Sequence, residues 1–128
     1  MILDSSAILA IVLDEPEHDD FVARIDAAQS VGVGAPTLVE TGMVYASRTG
    51  ADATEALATW LAERGADVID FGALHWRAAL AAWWRFGKGR HPAALNFGDC
   101  LAYATAAVAR EPLLAKGKDF AQTDITLA

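Results

Sequence analysis

Short apolar runs alternate along the chain with longer stretches whose apolar positions recur every three or four residues. The first pattern suits buried strands and the second suits helices with one face in a core. "MILD" at 1–4 reads as a buried strand and "SSAILAIVL" at 5–13 as a helix. Pro16 reads as a first-turn residue of a second helix, with Phe21, Val22 and Ile25 on one side. A glycine-rich strand at 30–35 leads into helices at 36–48 and 54–65, the latter ended by Gly65. "DVIDF" at 67–71 is a strand, 73–87 a helix, 88–95 a loop, 96–110 a helix and "PLLA" at 112–115 the last strand. The closing "KGKDFAQTDITLA" reads as a loop with a ragged end. Strands joined by helical crossovers predict an α/β fold, a three-layer α/β/α arrangement around a mainly parallel sheet, in one domain over 1–128.

Composition narrows the function classes. A hydrophobic share of 54% is enough for a core, yet no apolar run reaches the length of a membrane span. The start carries no basic segment ahead of its apolar stretch, so it does not read as a signal peptide. Cys100 is the only cysteine, which excludes an internal disulfide and suits a reducing, cytoplasmic setting. A net charge of −7 argues against binding nucleic acid through overall positive charge. It leaves open a site where carboxylates hold metal ions that grip phosphates, with a basic rim elsewhere.

Three acids fall where strands pass into helices or where a helix begins. Asp4 ends the first strand, Glu40 follows the strand at 30–35, and Asp99 opens the helix after Asn96. Each has a local reading as a helix-start residue: Asp4 as a cap, Thr37–Glu40 as a capping box, Asn96–Asp99 as a looser one. Ligands of a doubly wound sheet, however, bind at the carboxyl ends of its strands, where such junctions lie. Two carboxylates 4 Å apart repel by about 4 kcal/mol at an effective dielectric of 20, so a gathering of three calls for a cation or raised pKa values. Oxygen ligands without His or Cys favour Mg²⁺ or Mn²⁺. A fourth acid is offered after the last strand by Asp119, with Asp124 as the alternative.

These residues resemble a known family. "MILDSSAILAIVLDEPE", the acid of "APTLVETGMV", "RFGKGRHPAALNFGDCLAYATA" and "EPLLAKGKDFAQTDI" are similar to the PIN-domain ribonucleases, in particular the VapC toxins of bacterial VapBC toxin–antitoxin pairs. The resemblance implies metal-dependent cleavage of RNA phosphodiesters with Mg²⁺ or Mn²⁺, a homodimer, and a cognate VapB-like antitoxin. Asp4, Glu40 and Asp99 match the three acids of the family's metal site. Ser6 matches its small hydroxyl or amide position, and Asn96 the polar residue one turn before the third acid. Asp119 stands at the more variable fourth acid, with Lys118 where relatives often carry Asp or Asn.

The loop around 85–91 carries Arg85, Lys88, Arg90 and His91, and Lys116 adds to the same basic rim, which reads either as a solvated helix end or as an RNA contact. Trp60, Trp76, Trp83 and Trp84 read as core or dimer-packing residues rather than base-stacking platforms. His18 and His75 read as surface or packing residues. Two other functions stay open: a catalytically silent PIN-like module that only binds a protein, and a receiver- or phosphohydrolase-type phosphotransfer domain with Asp4 as nucleophile.

Overall fold

The structure is a computed structural model that describes all 128 residues. Four strands form one sheet: β1 (Ile2–Leu3), β2 (Val31–Gly34), β3 (Ala66–Ile69) and β4 (Leu113–Leu114). Their order is β3-β2-β1-β4 and every pairing is parallel, with Ile2 opposite both Gly32 and Leu113. Helices α1 (Ser5–Val12) and α2 (His18–Ala27) join β1 to β2, and α3 (Ala35–Thr49) and α4 (Thr54–Arg64) join β2 to β3. Helices α5 (Ala73–Phe86) and α6 (Phe97–Ala109) carry the chain back across to β4. The direction of winding therefore reverses at β1, and a doubly wound sheet opens its ligand crevice at such a reversal.

Strand geometry sends alternate residues to opposite faces, and the sequence uses this to build two cores. Ile2 and Leu113 face α5 and α6, packed with Ala102, Ala106 and Phe86. Leu3, Leu114, Val31 and Val33 face α1, α2 and α4, packed with Ile8, Phe21 and Leu61. Helix α6 approaches the end of β2 closely because Gly34 has no side chain: a Cβ there would lie 2.7 Å from Thr105 Oγ1. Thr105 is fully buried and satisfies its hydroxyl on the Leu101 carbonyl at 2.9 Å.

Two local expectations need correction. Pro16 lies ahead of α2, whose N-cap is Glu17. The C-terminal segment is not a ragged loop. It forms a 3₁₀ turn at Phe120–Gln122 and then runs along β4, with Leu113 N–H donating to Thr126 O at 2.9 Å and Ala128 N–H to Leu113 O at 3.0 Å. Phe120 and Ile125 supply the apolar contacts that turn residues alone did not advertise.

Leu3 is fully buried between the sheet and α1. Leu3→Ala is expected to lower the unfolding free energy by about 3 kcal/mol, the range of buried leucine truncations, as measured by urea unfolding.

Candidate active site

Asp4 emerges from β1 at the carboxyl edge of the sheet and serves as the N-cap of α1, accepting from Ser6 N–H at 3.0 Å and from the Ser6 hydroxyl. That hydroxyl in turn accepts from the Lys116 N–H at 2.9 Å, so the segment after β4 is tied to Asp4 through Ser6. Asp4 is almost wholly buried. Burial pushes its carboxyl above the ordinary range, against the lowering effect of its Ser6 bonds.

Asp99 occupies the third position of α6. Asn96 Oδ1 accepts from Asp99 N–H at 2.9 Å, and Asp99 Oδ2 accepts from Asn96 N–H at 2.8 Å. This is a reciprocal capping box with Asp in place of the usual Glu or Gln. Burial raises the Asp99 carboxyl; its Asn96 bond opposes this, and the charges of Asp4 and Asp119 add to the rise. The helix-start role and a site role are thus compatible.

Glu40 departs from its local expectation. Gly34 caps α3, so Thr37 lies inside the helix, fully buried, and Thr37–Glu40 is not a capping box. Glu40 instead projects from α3 against the first turn of α6, beside Gly98. Its Oε2 is buried without a hydrogen-bond partner. Burial raises its carboxyl first, then the charges of Asp4 and Asp99, with Ser5 opposing.

The charges of Asp4 and Asp99 act on Glu40, and those of Asp4 and Asp119 act on Asp99, which puts the four carboxylates at one corner of the sheet. Asp119 is exposed, at the start of the 3₁₀ turn. Asp124 goes elsewhere: it accepts from the Tyr103 hydroxyl and from Arg85 at 2.7 Å, which hold its carboxyl below the usual range. In this conformation no three His, Cys, Asp or Glu side chains stand close enough for a ready coordination shell. Asp4 is held by Ser6 and Asp99 by Asn96, while Glu40 lies against Gly98 with its Oε2 unpartnered. The donor set still fits a hard divalent ion, because all donors are oxygens and one is a buried, unpartnered carboxylate oxygen.

The basic rim is smaller than the sequence suggests. Arg85 is spent on Asp124, and Lys116 on Glu15 at 2.9 Å and Glu17 at 2.7 Å. His91 packs edge-on against Phe86 and accepts from Ala93 N–H at 3.1 Å, a packing role. Lys88 and Arg90 remain unpaired with acids, and the Arg90 guanidinium lies over both Trp83 and Trp84, 4.1 and 3.8 Å from the ring centres. Trp76, Trp83 and Trp84 are exposed rather than in the core. Trp76 and Trp83, with Val39, Met43, Leu80 and Phe97, line an apolar groove of about 1070 Å³ that runs up to Glu40. Single apolar residues in a sequence carry no signal that they adjoin, so this groove was not foreseen.

A family model for the PIN domain matches residues 1–125. The chain belongs to the PIN-domain family. Among curated proteins it is 45% identical to ribonuclease VapC36 of Mycobacterium tuberculosis over 98% of this chain and 91% of that one. It is 38% identical to ribonuclease VapC30 of the same species, over 98% and 95%. Among solved structures, VapC20 of M. tuberculosis, described as a sarcin-ricin loop cleaving toxin, shares the fold with a TM-score of 0.78 at 18% identity, over 99% of this chain and 97% of that one. A chain of a toxin-antitoxin complex from Klebsiella pneumoniae matches with a TM-score of 0.71 at 17% identity, over 99% and 95%.

The raised Glu40 carboxyl fixes the sign of a pH effect. Native Glu40 holds its proton more tightly than the unfolded chain does, so stability falls as pH rises from the ordinary glutamate range through the raised pKa. In EDTA, Glu40→Gln is expected to have a higher Tm than the parent at pH 7.5, with the gap closing toward pH 4. Thermal unfolding by circular dichroism across that range checks it.

Proposed function

We propose that this chain is a divalent-metal-dependent endoribonuclease that acts as the toxin of a toxin–antitoxin pair. The observation that carries this reading is the gathering of Asp4, Glu40, Asp99 and Asp119 at the carboxyl edge of the sheet, with Glu40 Oε2 buried and unpartnered. Such an arrangement costs free energy unless a cation offsets the repulsion. The relatives at 38–45% identity, named VapC ribonucleases, support the same activity.

When bound, Mg²⁺ or Mn²⁺ supplies Lewis-acid polarisation of a phosphoryl oxygen and lowers the pKa of water. Asp4, Glu40 and Asp99 are the residues to hold it, with Asp119 as the fourth and more exposed carboxylate. Ser6 fixes the Asp4 carboxylate from α1, and Asn96 fixes Asp99 from the α6 cap. Both anchors leave carboxylate lone pairs free, since each oxygen accepts more than one bond. Lys88 and Arg90 face the phosphates of the RNA, and Arg90 is pre-oriented by its two tryptophans.

The apolar groove beside Glu40 supports a protein partner, because exposed apolar surface of this kind marks interaction sites. A VapB-like antitoxin and a second copy of the chain are the partners in this reading. No helix is long and apolar enough to cross a membrane, and a cytoplasmic location belongs to the proposal.

Cleavage of a panel of structured RNAs, tRNA included, is expected in Mg²⁺ or Mn²⁺ and not in EDTA. Asp99→Asn should cut at least about a hundredfold more slowly, because it removes a ligand charge and leaves the cap geometry. A folded protein that neither binds Mn²⁺ nor cuts would instead be a silent binding module. For the rim, Lys88→Ala and Arg90→Ala should each weaken RNA binding and reduce the slope of log affinity against log salt by about 0.7 for a single strand, read by fluorescence anisotropy at several salt concentrations.

A further inference from the structure

Gly98 lies at the second position of α6, in the turn that presents Asp99. It is buried, and its backbone is not left-handed, so conformational freedom does not call for glycine there. Helix propensity favours alanine over glycine at such a position. What alanine would meet is Glu40. A Cβ on Gly98 would overlap both carboxylate oxygens and lie 2.5 Å from Cδ, and these are the three nearest heavy atoms. Independently, Glu40 Oε2 is buried there with no hydrogen-bond partner. A flexible side chain would ordinarily turn such an oxygen toward water. The room left by Gly98 lets it lie against α6 instead, one residue from Asp99.

We propose that Gly98 is a positioning residue: the missing Cβ is the seat that brings the Glu40 carboxylate from α3 to the Asp99 side of the site. This rests on the metal-dependent nuclease reading and adds to it a residue with no donor atom of its own in its side chain. The atoms in the way of a methyl group are the far end of a flexible side chain, so Glu40 can swing out while the helices stay where they are. Gly98→Ala therefore leaves the fold intact and displaces the carboxylate. Shortening Glu40 by one methylene withdraws the same oxygens, so Glu40→Asp and Gly98→Ala act on one feature and are not additive.

The experiment uses the full chain with Gly98→Ala, Glu40→Asp and the double variant beside the parent. Crystal structures of the parent and of Gly98→Ala grown in EDTA come first. The Glu40 carboxylate is expected against Gly98 in the parent and turned away from α6 in the variant, with Tm unchanged or slightly higher. Mn²⁺ titration by calorimetry and RNA cleavage follow. Gly98→Ala should bind Mn²⁺ about tenfold more weakly and cleave correspondingly more slowly, while adding Gly98→Ala to Glu40→Asp should change either by less than about threefold. Glu40 unmoved in the EDTA structure, parent-like binding and cleavage by Gly98→Ala, or full additivity with Glu40→Asp would each overturn the proposal. If the parent neither binds Mn²⁺ nor cuts RNA, the nuclease reading fails, and the EDTA structures still decide whether Gly98 seats Glu40.

Discussion

Repulsion among carboxylates brought to one corner of a parallel sheet is the constraint around which the rest is arranged. Asp4 follows β1, Glu40 comes from α3 and Asp99 from α6, so three separate elements must converge for the charges to interact. Burial raises all three carboxyls, and their mutual charge raises Glu40 and Asp99 further. The fold gives Asp4 and Asp99 a local anchor each. Both anchors are helix caps, where orphan N–H groups need acceptors in any case. The same hydrogen bonds thus complete a helix end and aim a carboxylate. Glu40 has no such bond at Oε2, and it is the acid whose position depends most on space.

Much of the fold was legible because strand and helix patterns differ sharply here. "MILD" followed by a helical run, and "VGVG" followed by Pro36, leave little choice of element. Asp4 and the Asn96–Asp99 box were legible for a related reason, since capping is encoded within four residues. Glu40 was found as an acid but not as placed: the Thr37 spacing imitates a capping box, while Gly34 takes the cap and Thr37 is buried inside α3. Gly34 is a favoured cap residue and Pro36 marks the first turn, and the Thr37–Glu40 spacing masks both signals. Asp119 ranked ahead of Asp124 in the sequence only because it lies nearer the end of the last strand. Their difference comes from Tyr103 and Arg85, which lie 21 and 39 residues from Asp124 in the chain and claim it.

The basic rim shows the same limit. Counting cations near residue 90 overstated the charge available, since Arg85 and Lys116 are matched by acids that are distant in sequence or lie on another loop. Lys116 is doubly occupied: its amine pairs with Glu15 and Glu17 while its backbone N–H steadies Ser6. That residue couples the loop after α1 to the segment after β4, on either side of Asp4. Arg90 lies against aromatic faces rather than an acid, so its charge stays unpaired.

The run of the C-terminal segment along β4 bears on how the molecule meets its own kind. A four-stranded sheet has two borders with unpaired amides and carbonyls, and such borders recruit strands from other molecules. Here residues 126–128 already occupy the hydrogen-bonding groups of Leu113 on one border. The other border, β3, is open, yet a strand arriving there would lie beside Asp67 and close to Asp70. A chain with this much apolar surface is thereby guarded against fibrous sheet extension on both sides, by a stitched tail on one and by negative charge on the other.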